Sequence, residues 1–342
     1  MNTYLKFQPG ILICLFTLVL FSSASIKNQE NTLKSSDNRE VSVASLPMQM
    51  ADPAIFSYKR TYYLYGTGGD SNHGFLVYTS TNLKTWEGPK GKKNGYALTK
   101  GDSFGTAGFW APQVFQHKGK IYMAYTANEQ LAIAESDSPL GPFKQTTLKN
   151  LSGADKQIDP FVFFDTDGKI YLYHVRLQNG NKLFVAELKA DLSDIKPETS
   201  QLCLQGDQAW ENTASSSWPV TEGPTVIKHN KLYYLFYSAN DFRSIDYAVG
   251  YAVGTSPFGP WIKYSANPIL SSHLIDINGS GHGDFFRDVK GNWKYVFHLH
   301  ATQSIVSPRK TAIINAAFLR DTSGDDVMKM DRKTVVELTV ED

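Results

Sequence analysis

Short runs of alternating apolar and polar residues recur along the chain, and no segment has a long 3.6-residue apolar period, so few helices are expected. Five segments share one pattern: an apolar strand, a polar or glycine turn, and a second strand rich in Tyr, Phe and Ile. They are DPAIFSYKRTYYLYGTG from Asp52, APQVFQHKGKIYMAYTA from Ala111, DPFVFFDTDGKIYLYHV from Asp159, GPTVIKHNKLYYLFYSA from Gly223 and GHGDFFRDVKGNWKYVFHLH from Gly281. Each predicts a β-hairpin.

A second pair of strands follows each hairpin, as in LAIAESDSPLGPFK and YAVGYAVGTSPFGPW. Four strands per unit, repeated around a centre, are typical of a β-propeller. The pattern therefore predicts an all-β, five-bladed propeller with four antiparallel strands per blade. A generic β-sandwich is the alternative, but it gives no reason for a four-strand period that recurs five times. Most of the aromatic residues, 13% of the chain, are expected in the core between blades, Phe56 and Phe161 among them.

The N-terminus has the order of a secretory signal peptide: MNTYLK, the apolar run GILICLFTLVLF, then SSAS. Twelve apolar residues are too few for a membrane helix, which needs about 20. We expect residues 1–24 to be a cleaved signal peptide, residues 25–46 a disordered lead-in, and residues 47–342 the catalytic propeller. The protein is then secreted or periplasmic, with no membrane span.

Composition narrows the class of partner. The formal charge is +1 and no basic stripe is present, which makes nucleic acid an unfavourable partner. Removal of the signal peptide leaves only Cys203, so no disulfide can hold the fold. Cys203 has no catalytic-looking neighbours and is interpreted as a buried thiol.

Three acids occur where strands begin: Asp52, Asp159 and Glu222 open blades one, three and four. In a propeller the innermost strands run in one direction along the axis, so these positions converge at one mouth of the channel. The following proline is expected to hold Asp52 and Asp159 in an extended conformation. Carboxylates gathered in a partly desolvated depression acquire different pKa values, as acid–base catalysis requires. An acid before a proline is also a common turn former, but not at three equivalent repeat positions.

The ordered set DPAIF, WAP, IDPF, TEGP and GHGDF resembles glycoside hydrolase family 43, five-bladed propellers that act mainly on arabinose- and xylose-containing polysaccharides. The resemblance implies that Asp52 is the general base, Glu222 the general acid, and Asp159 the carboxylate that tunes and orients the acid. It also implies inversion of anomeric configuration, which needs roughly 6.5 to 9.5 Å between the acid and base carboxyl groups. No cofactor is required for that chemistry.

The same resemblance gives roles to two basic residues. His282 lies where the family often places a histidine near a metal ion, so a structural calcium ion in the central channel is expected there. A histidine bonded to backbone is the alternative. Arg309, in SPRKTAI, resembles an arginine that reaches into the sugar pocket, with a surface cation as the alternative.

Aromatic residues and two loops complete the expected pocket. Trp110 and Phe109, in GFWAPQ, open blade two at the mouth where the acids are expected, so a ring there would pack on a pentose. The connecting segments 66–74 and 238–247 would rim the pocket, although hairpin loops are polar in any case.

These observations favour an exported, inverting α-L-arabinofuranosidase that acts on plant-type polysaccharides or oligosaccharides. β-Xylosidase and arabinanase activities are the nearest alternatives. Galactan-cleaving activity is less favoured because certain galactan-active members lack the base that Asp52 provides here. A non-catalytic glycan-binding propeller is the alternative from another class, but its blades would carry equivalent binding residues. A phosphorylase or fructan hydrolase is the third alternative, and phosphate use would require more pocket cations than Arg309.

Overall fold

The computed structural model describes residues 45–154 and 156–341. The predicted signal peptide, residues 1–24, and nearly all of the predicted lead-in lie outside these residues. The lead-in was predicted to extend to residue 46, but a strand, β1 (Ser45–Pro47), already begins at Ser45. Within the described ranges no helix is long and apolar enough to cross a bilayer.

The strands follow one another as the hairpin pattern predicts. Blade one contains β2 (Ala51–Tyr58), β3 (Thr61–Thr67), β4 (Gly74–Leu76), β5 (Tyr78–Ser80), β6 (Thr85–Trp86) and β7 (Tyr96–Thr99). Blade two contains β8 (Trp110–His117), β9 (Lys120–Ala127) and β10 (Gln130–Ser136). Blade three contains β11 (Gln157–Phe164), β12 (Ile170–Leu177), β13 (Asn181–Leu188) and β14 (Gln201–Leu204).

Blade four contains β15 (Thr221–His229), β16 (Leu232–Ala239), β17 (Ala248–Gly254) and β18 (Ile262–Lys263). Blade five contains β19 (Gly281–Arg287), β20 (Trp293–Leu299), β21 (Lys310–Arg320) and β22 (Asp326–Glu337), and β23 (Thr339–Glu341) follows it. The described helices are α1 (Ser272–Ile275) and two 3-10 turns, Pro197–Thr199 and Ala209–Glu211.

The innermost strands β2, β8, β11, β15 and β19 form a closed ring, since each contacts the next and β19 contacts β2. The five-bladed propeller is therefore confirmed. Four strands per sheet occur in blades three to five, whereas the main sheets of blades one and two have three strands in the described part of the chain. In blade two a single bridge between Glu135 and Lys144 marks the place of the missing outer strand.

The first and last described strands meet beside blade one. Strand β1 pairs antiparallel with β23, and β23 pairs parallel with β6. The hydrogen bonds of three segments far apart in sequence thus join the end of the propeller to the first blade. This pairing explains why a pattern of hairpins alone did not identify residues 45–46 as structured.

Aromatic and aliphatic side chains fill the spaces between blades, as expected from their alternation along the strands. Tyr234, Phe236 and Tyr251 of blade four pack with Phe285 and Phe297 of blade five. The packed rings give the inner strands a rigid setting, which fixes where their first residues stand.

Candidate active site

Each innermost strand carries a β-bulge at the same point near its start. The pairing register shifts between Ala51 and Ala54 in blade one, and at the corresponding point of the other four. The residue inside each bulge has a positive φ: Asp52 (47°), Ala111 (46°), Asp159 (57°), Gly223 (58°) and His282 (40°). Non-glycine residues in this region are uncommon, Asp being among the more tolerated, and such strain concentrates at functional sites.

Two predictions about these positions were wrong in detail. Asp52 and Asp159 are left-handed rather than extended, because the bulge overrides the preference that the following proline imposes. Glu222 does not share their register: Gly223 occupies the bulge position of blade four, and Glu222 precedes it. In blade five the bulge residue is His282, so the ring of equivalent positions holds two acids and a histidine.

The three acids line one cavity of about 500 Å³ at this mouth of the propeller, which we call the mouth cavity. Its lining includes predicted site residues from all five blades: Asp52, Trp110, Asp159, Glu222, His282 and Arg309. It also includes residues that the sequence did not indicate, chiefly Asn181, Trp218 and Glu129. The ring geometry therefore brings the predicted acids together.

Asp52 is buried among positively charged and polar groups. Its Oδ1 lies 3.0 Å from Nη1 of Arg309 and 3.4 Å from Nδ1 of His282. Its backbone N–H donates to Nδ1 of His298 at 3.2 Å. Burial raises the pKa of Asp52, but Arg309, His282 and His298 together hold that pKa well below its ordinary value. Asp52 is therefore a carboxylate at neutral pH.

In Glu222 the effects that raise the pKa outweigh those that lower it. Its Oε1 accepts a hydrogen bond from the hydroxyl of Tyr247 at 2.8 Å, and its Oε2 accepts one from Nδ2 of Asn181 at 2.9 Å. Burial raises the pKa of Glu222 to about 7, with the charge of Asp52 adding to the rise and the two hydrogen bonds opposing it. Its side chain can carry a proton near neutral pH and release it to a base.

Asp159 interacts electrostatically with both of these acids. Its Oδ2 accepts the N–H of Gly223 at 3.1 Å and lies 3.9 Å from Nδ1 of His282. Burial, then the charges of Glu222 and Asp52, raise its pKa well above the ordinary value. The pKa values of Asp159 and Glu222 are both raised, and the charges of the two side chains interact. A proton bound near neutral pH therefore belongs to the pair rather than to either residue.

His282 is held against the acids by blade four. Its backbone N–H donates to Oγ of Ser238 at 2.7 Å, and a Cβ on Gly223 would lie 2.8 Å from its ring. Only glycine at position 223 leaves room for the ring. Burial lowers the pKa of His282, which the charge of Asp52 only partly offsets.

The surroundings of His282, where a calcium site was expected, contain few ligands for such an ion. Among residues 45–154 and 156–341, no three His, Cys, Asp or Glu side chains are arranged to hold a metal ion. His282 lines a narrow channel together with Asp52, Asp159 and Asp284. Calcium prefers six to eight oxygen ligands, so these residues would have to share any ion with several waters. Calcium binding stays a prediction, and no step below uses it.

The predicted binding residues separate into two groups. Arg309 reaches Asp52 and packs over the ring of Phe242 with 4.5 Å between Cζ and the ring centroid, and Trp110 lines the mouth cavity. Phe109 does not: it is completely buried, with its ring centroid 5.9 Å from that of Phe75. We therefore correct the prediction for Phe109, which precedes β8 and is a core residue because its ring packs against Phe75 and Tyr125.

Several polar residues of the site were missed by the sequence reasoning. Asn181 begins β13, Tyr247 precedes β17, and His298 lies near the end of β20 with its ring stacked on Tyr247 at 5.4 Å. Tyr247 and Phe242 belong to segment 238–247, which was expected to rim the pocket. Of segment 66–74, Thr67 lines the mouth cavity. The only signal for Asn181 was its place in a polar turn, which any hairpin has.

Comparison with known proteins identifies the class and then the family. The fold is a β-propeller with buried acids at one mouth, and the family model of glycosyl hydrolases family 43 matches residues 45–322. The chain belongs to this family, so the resemblance read from the sequence is confirmed.

Individual relatives support the same placement. A crystal structure of an endo-1,4-beta-xylanase from Bacteroides thetaiotaomicron VPI-5482 has a TM-score of 0.80 and 39% identity, covering 88% of this chain and all of that one. A xylosidase/arabinosidase from Bacteroides ovatus is 26% identical over 292 residues, 73% of this chain and 85% of the relative. A xylosidase/arabinosidase from Butyrivibrio fibrisolvens is 26% identical over 55% of this chain, and the match spans only 37% of that relative.

Proposed function

We propose that the protein is an exported glycoside hydrolase that inverts anomeric configuration and releases arabinose from plant-type polysaccharides or oligosaccharides, as an α-L-arabinofuranosidase. The observation that carries the proposal is the opposite electrostatic setting of two acids in one cavity. Arg309 and His282 favour the ionised form of Asp52, whereas burial favours the protonated form of Glu222.

Asp52 supplies the base in this mechanism. A water molecule on one side of the sugar loses a proton to the Asp52 carboxylate as its oxygen attacks the anomeric carbon. Arg309 remains paired with Asp52 and lowers its basicity, but it also keeps the carboxylate ionised and oriented at the start of each turnover.

Glu222 supplies the acid. Its proton passes to the glycosidic oxygen as the bond to the anomeric carbon breaks, so the leaving group departs as a neutral alcohol. The carboxylate that remains accepts the hydrogen bonds of Tyr247 and Asn181, which stabilise it in the transition state. Asp159 shares the proton of the pair and fixes the backbone of Gly223 beside the acid.

Cleavage of β-D-xylosides is the second candidate, and a specific observation favours it. The 39% identical structure described above is that of an endo-1,4-beta-xylanase. α-L-Arabinofuranose and β-D-xylopyranose present similar arrangements at the bond that is cleaved, so the acids serve either sugar. Non-catalytic glycan binding is disfavoured by the asymmetry of the bulge positions, since only Asp52 and Asp159 repeat.

Kinetics on two substrates test the proposal. Aryl α-L-arabinofuranoside and aryl β-D-xyloside are offered to the wild type, Asp52→Ala and Glu222→Ala, and NMR follows the anomer released first. We expect Asp52→Ala to be inactive on both. Glu222→Ala should retain more activity on aryl leaving groups than on oligosaccharides, because protonation matters less for a good leaving group. Equal rates in all three proteins, or release of the retained anomer, contradict the mechanism.

Export rests on residues 1–24 alone. If they form a signal peptide, the full-length chain expressed in a Gram-negative host is found in the periplasm or medium without them. N-terminal sequencing of the mature protein tests this. A mature chain that starts at Met1 and stays in the cytoplasm contradicts export but leaves the proposed chemistry unchanged.

A further inference from the structure

Trp218 presents a large aromatic side chain to the mouth cavity. It is one of the exposed large hydrophobic residues, at 45% of its full accessibility, and it lines the cavity together with Glu222. Its indole N–H is not free, since it donates to Oδ1 of Asn181 at 2.9 Å. With its polar edge satisfied inside the protein, what the residue offers to a ligand is apolar ring surface.

The hydrogen bond also fixes where this ring surface stands. Asn181 uses its other amide atom, Nδ2, to donate to Oε2 of Glu222 at 2.9 Å. The backbone of Asn181 is pinned as well: its N–H donates to the carbonyl of Pro219 at 2.9 Å, and its carbonyl accepts the hydroxyl of Thr221 at 2.9 Å. A single buried amide therefore connects the indole to the acid.

The surroundings of the two acids in the mouth cavity differ in chemistry. Asp52 is accompanied by Arg309, which packs on Phe242, whereas Glu222 is accompanied by Asn181 and Trp218. In an inverting reaction the acid protonates the oxygen of the leaving group, so the leaving group lies next to the acid and away from the attacking water. The ring surface of Trp218 is thus on the leaving-group side of the scissile bond.

We propose that Trp218 is the binding platform for the leaving-group sugar, so that the enzyme recognises the sugar that carries the cleaved residue as well as the residue itself. The proposal rests on the proposed function, and in particular on Glu222 as the acid. A pyranose or furanose has a face of C–H groups that packs on an aromatic ring while its hydroxyls stay in water. A leaving group without a ring gains nothing from this contact.

Glycosyl fluorides separate this contact from the rest of catalysis, because fluoride departs without a ring and needs little protonation. The wild type, Trp218→Ala and Trp218→Phe are compared on α-1,5-arabinobiose and xylobiose, and on α-L-arabinofuranosyl and β-D-xylosyl fluoride. We expect Trp218→Ala to lower kcat/KM for the preferred disaccharide by roughly tenfold to fiftyfold, from lost ring burial. Its kcat/KM for the matching fluoride should stay within about twofold of the wild type.

Trp218→Phe keeps a ring and should retain most of the disaccharide activity. Ile262→Ala is the control, since Ile262 is another exposed apolar residue, 74% accessible, on the outer strand of blade four. This substitution should change kcat/KM neither for the disaccharides nor for the fluorides. Equal loss on disaccharide and fluoride in Trp218→Ala, or no loss on either, overturns the platform. A wild type that cleaves neither disaccharide nor fluoride rejects the proposed function itself, and the platform with it.

Discussion

Arg309 and Asp52 are 257 positions apart, and Nη1 of the arginine lies 3.0 Å from Oδ1 of the acid. Arg309 comes just before β21 in the last blade, and Asp52 lies near the start of the first, so the contact crosses the closure of the ring. Both side chains are mostly buried. Removing one of them leaves the other without its charge partner in a poorly solvated place, which is costly.

Replacement of Arg309 should change the pH at which the base works. Burial raises the pKa of Asp52, and Arg309 is the strongest group that lowers it. In Arg309→Met the pKa of Asp52 rises, so the carboxylate is lost at a higher pH than in the wild type. The acid limb of kcat/KM, which reports the base in the free enzyme, should move to higher pH, so the loss of kcat/KM relative to the wild type should be larger at pH 5 than at pH 7.

Arg320→Met is the matched control for that profile. Arg320 is 70% exposed on blade five and pairs with Asp326 rather than with the site. Its pH profile should overlay that of the wild type. An unchanged acid limb in Arg309→Met, despite a folded protein, means that another group is the base.

Loss of the proton from Glu222 should set the basic limb of the pH profile of kcat/KM. The pKa of Glu222 is raised to about 7, so the protonated acid is present below that pH and is lost as the pH rises through it. Wild-type kcat/KM on oligosaccharides should therefore fall above about pH 7. Glu222→Gln cannot donate a proton, and its oligosaccharide activity should fall by roughly 10²- to 10⁴-fold.

The residual activity of Glu222→Gln should show no fall near pH 7, because the titrating group is gone. Glu198→Gln serves as the control, since Glu198 is an exposed residue of the short turn Pro197–Thr199. Persistence of the same basic limb in Glu222→Gln would assign the limb to Asp159, the other member of the coupled pair.

Gly223 should be required both for its left-handed backbone conformation and for the space that it leaves for the His282 ring. Alanine at this position has a φ of 58° to adopt and a Cβ 2.8 Å from the His282 ring. Gly291 has a φ of 84°, and a Cβ there would have no atom within 4 Å. Gly291→Ala therefore carries the backbone penalty alone, roughly 1–2 kcal/mol.

Gly223→Ala should therefore lose roughly 1–3 kcal/mol more than Gly291→Ala in urea unfolding. It should also lose activity, because His282 contacts Asp52 and Asp159. Equal stability loss in the two variants, with full activity in Gly223→Ala, shows that the histidine can move aside at no cost.

The repeat pattern was sufficient to predict the ring of blades and the convergence of distant acids. Alternation along a strand and the turn chemistry of hairpins are local, and radial repetition converts them into a global arrangement. The offset of Glu222 was not predictable in this way, because a bulge is set by pairing with the neighbouring strand. Phe109 and Trp110 illustrate the same limit: both are aromatic neighbours, and only tertiary packing decides which one faces the cavity.

The individual residues around the acid could not be predicted either, although segment 238–247, which contains Tyr247, was expected to rim the pocket. Asn181, Trp218 and Tyr247 lie at strand ends or in connecting segments, where no periodicity marks them. Loop segments meet over the mouth of a propeller only after the blades have closed. Residue type alone did not distinguish Asn181 from the other asparagines of hairpin turns, which serve the backbone.

A histidine outside the site should limit stability in acid. His174, in β12, is completely buried with its ring stacked on Phe184, and burial, assisted by the charge of Arg176, lowers its pKa to about 3. The unfolded chain binds a proton near pH 6.5, which the folded protein does not accept until about pH 3. Stability is therefore fully present above about pH 6.5 and is lost as the pH falls through the interval between these values.

His174→Phe removes this group and keeps an aromatic ring, so it should recover about 2 kcal/mol at pH 5 relative to its effect at pH 8. Urea unfolding of both proteins at the two pH values measures the difference, with His273→Phe as control because that side chain is 83% exposed. If His174→Phe changes the free energy of unfolding equally at pH 5 and pH 8, His174 is protonated in the folded protein as readily as in the unfolded chain, and its burial does not disfavour the charge.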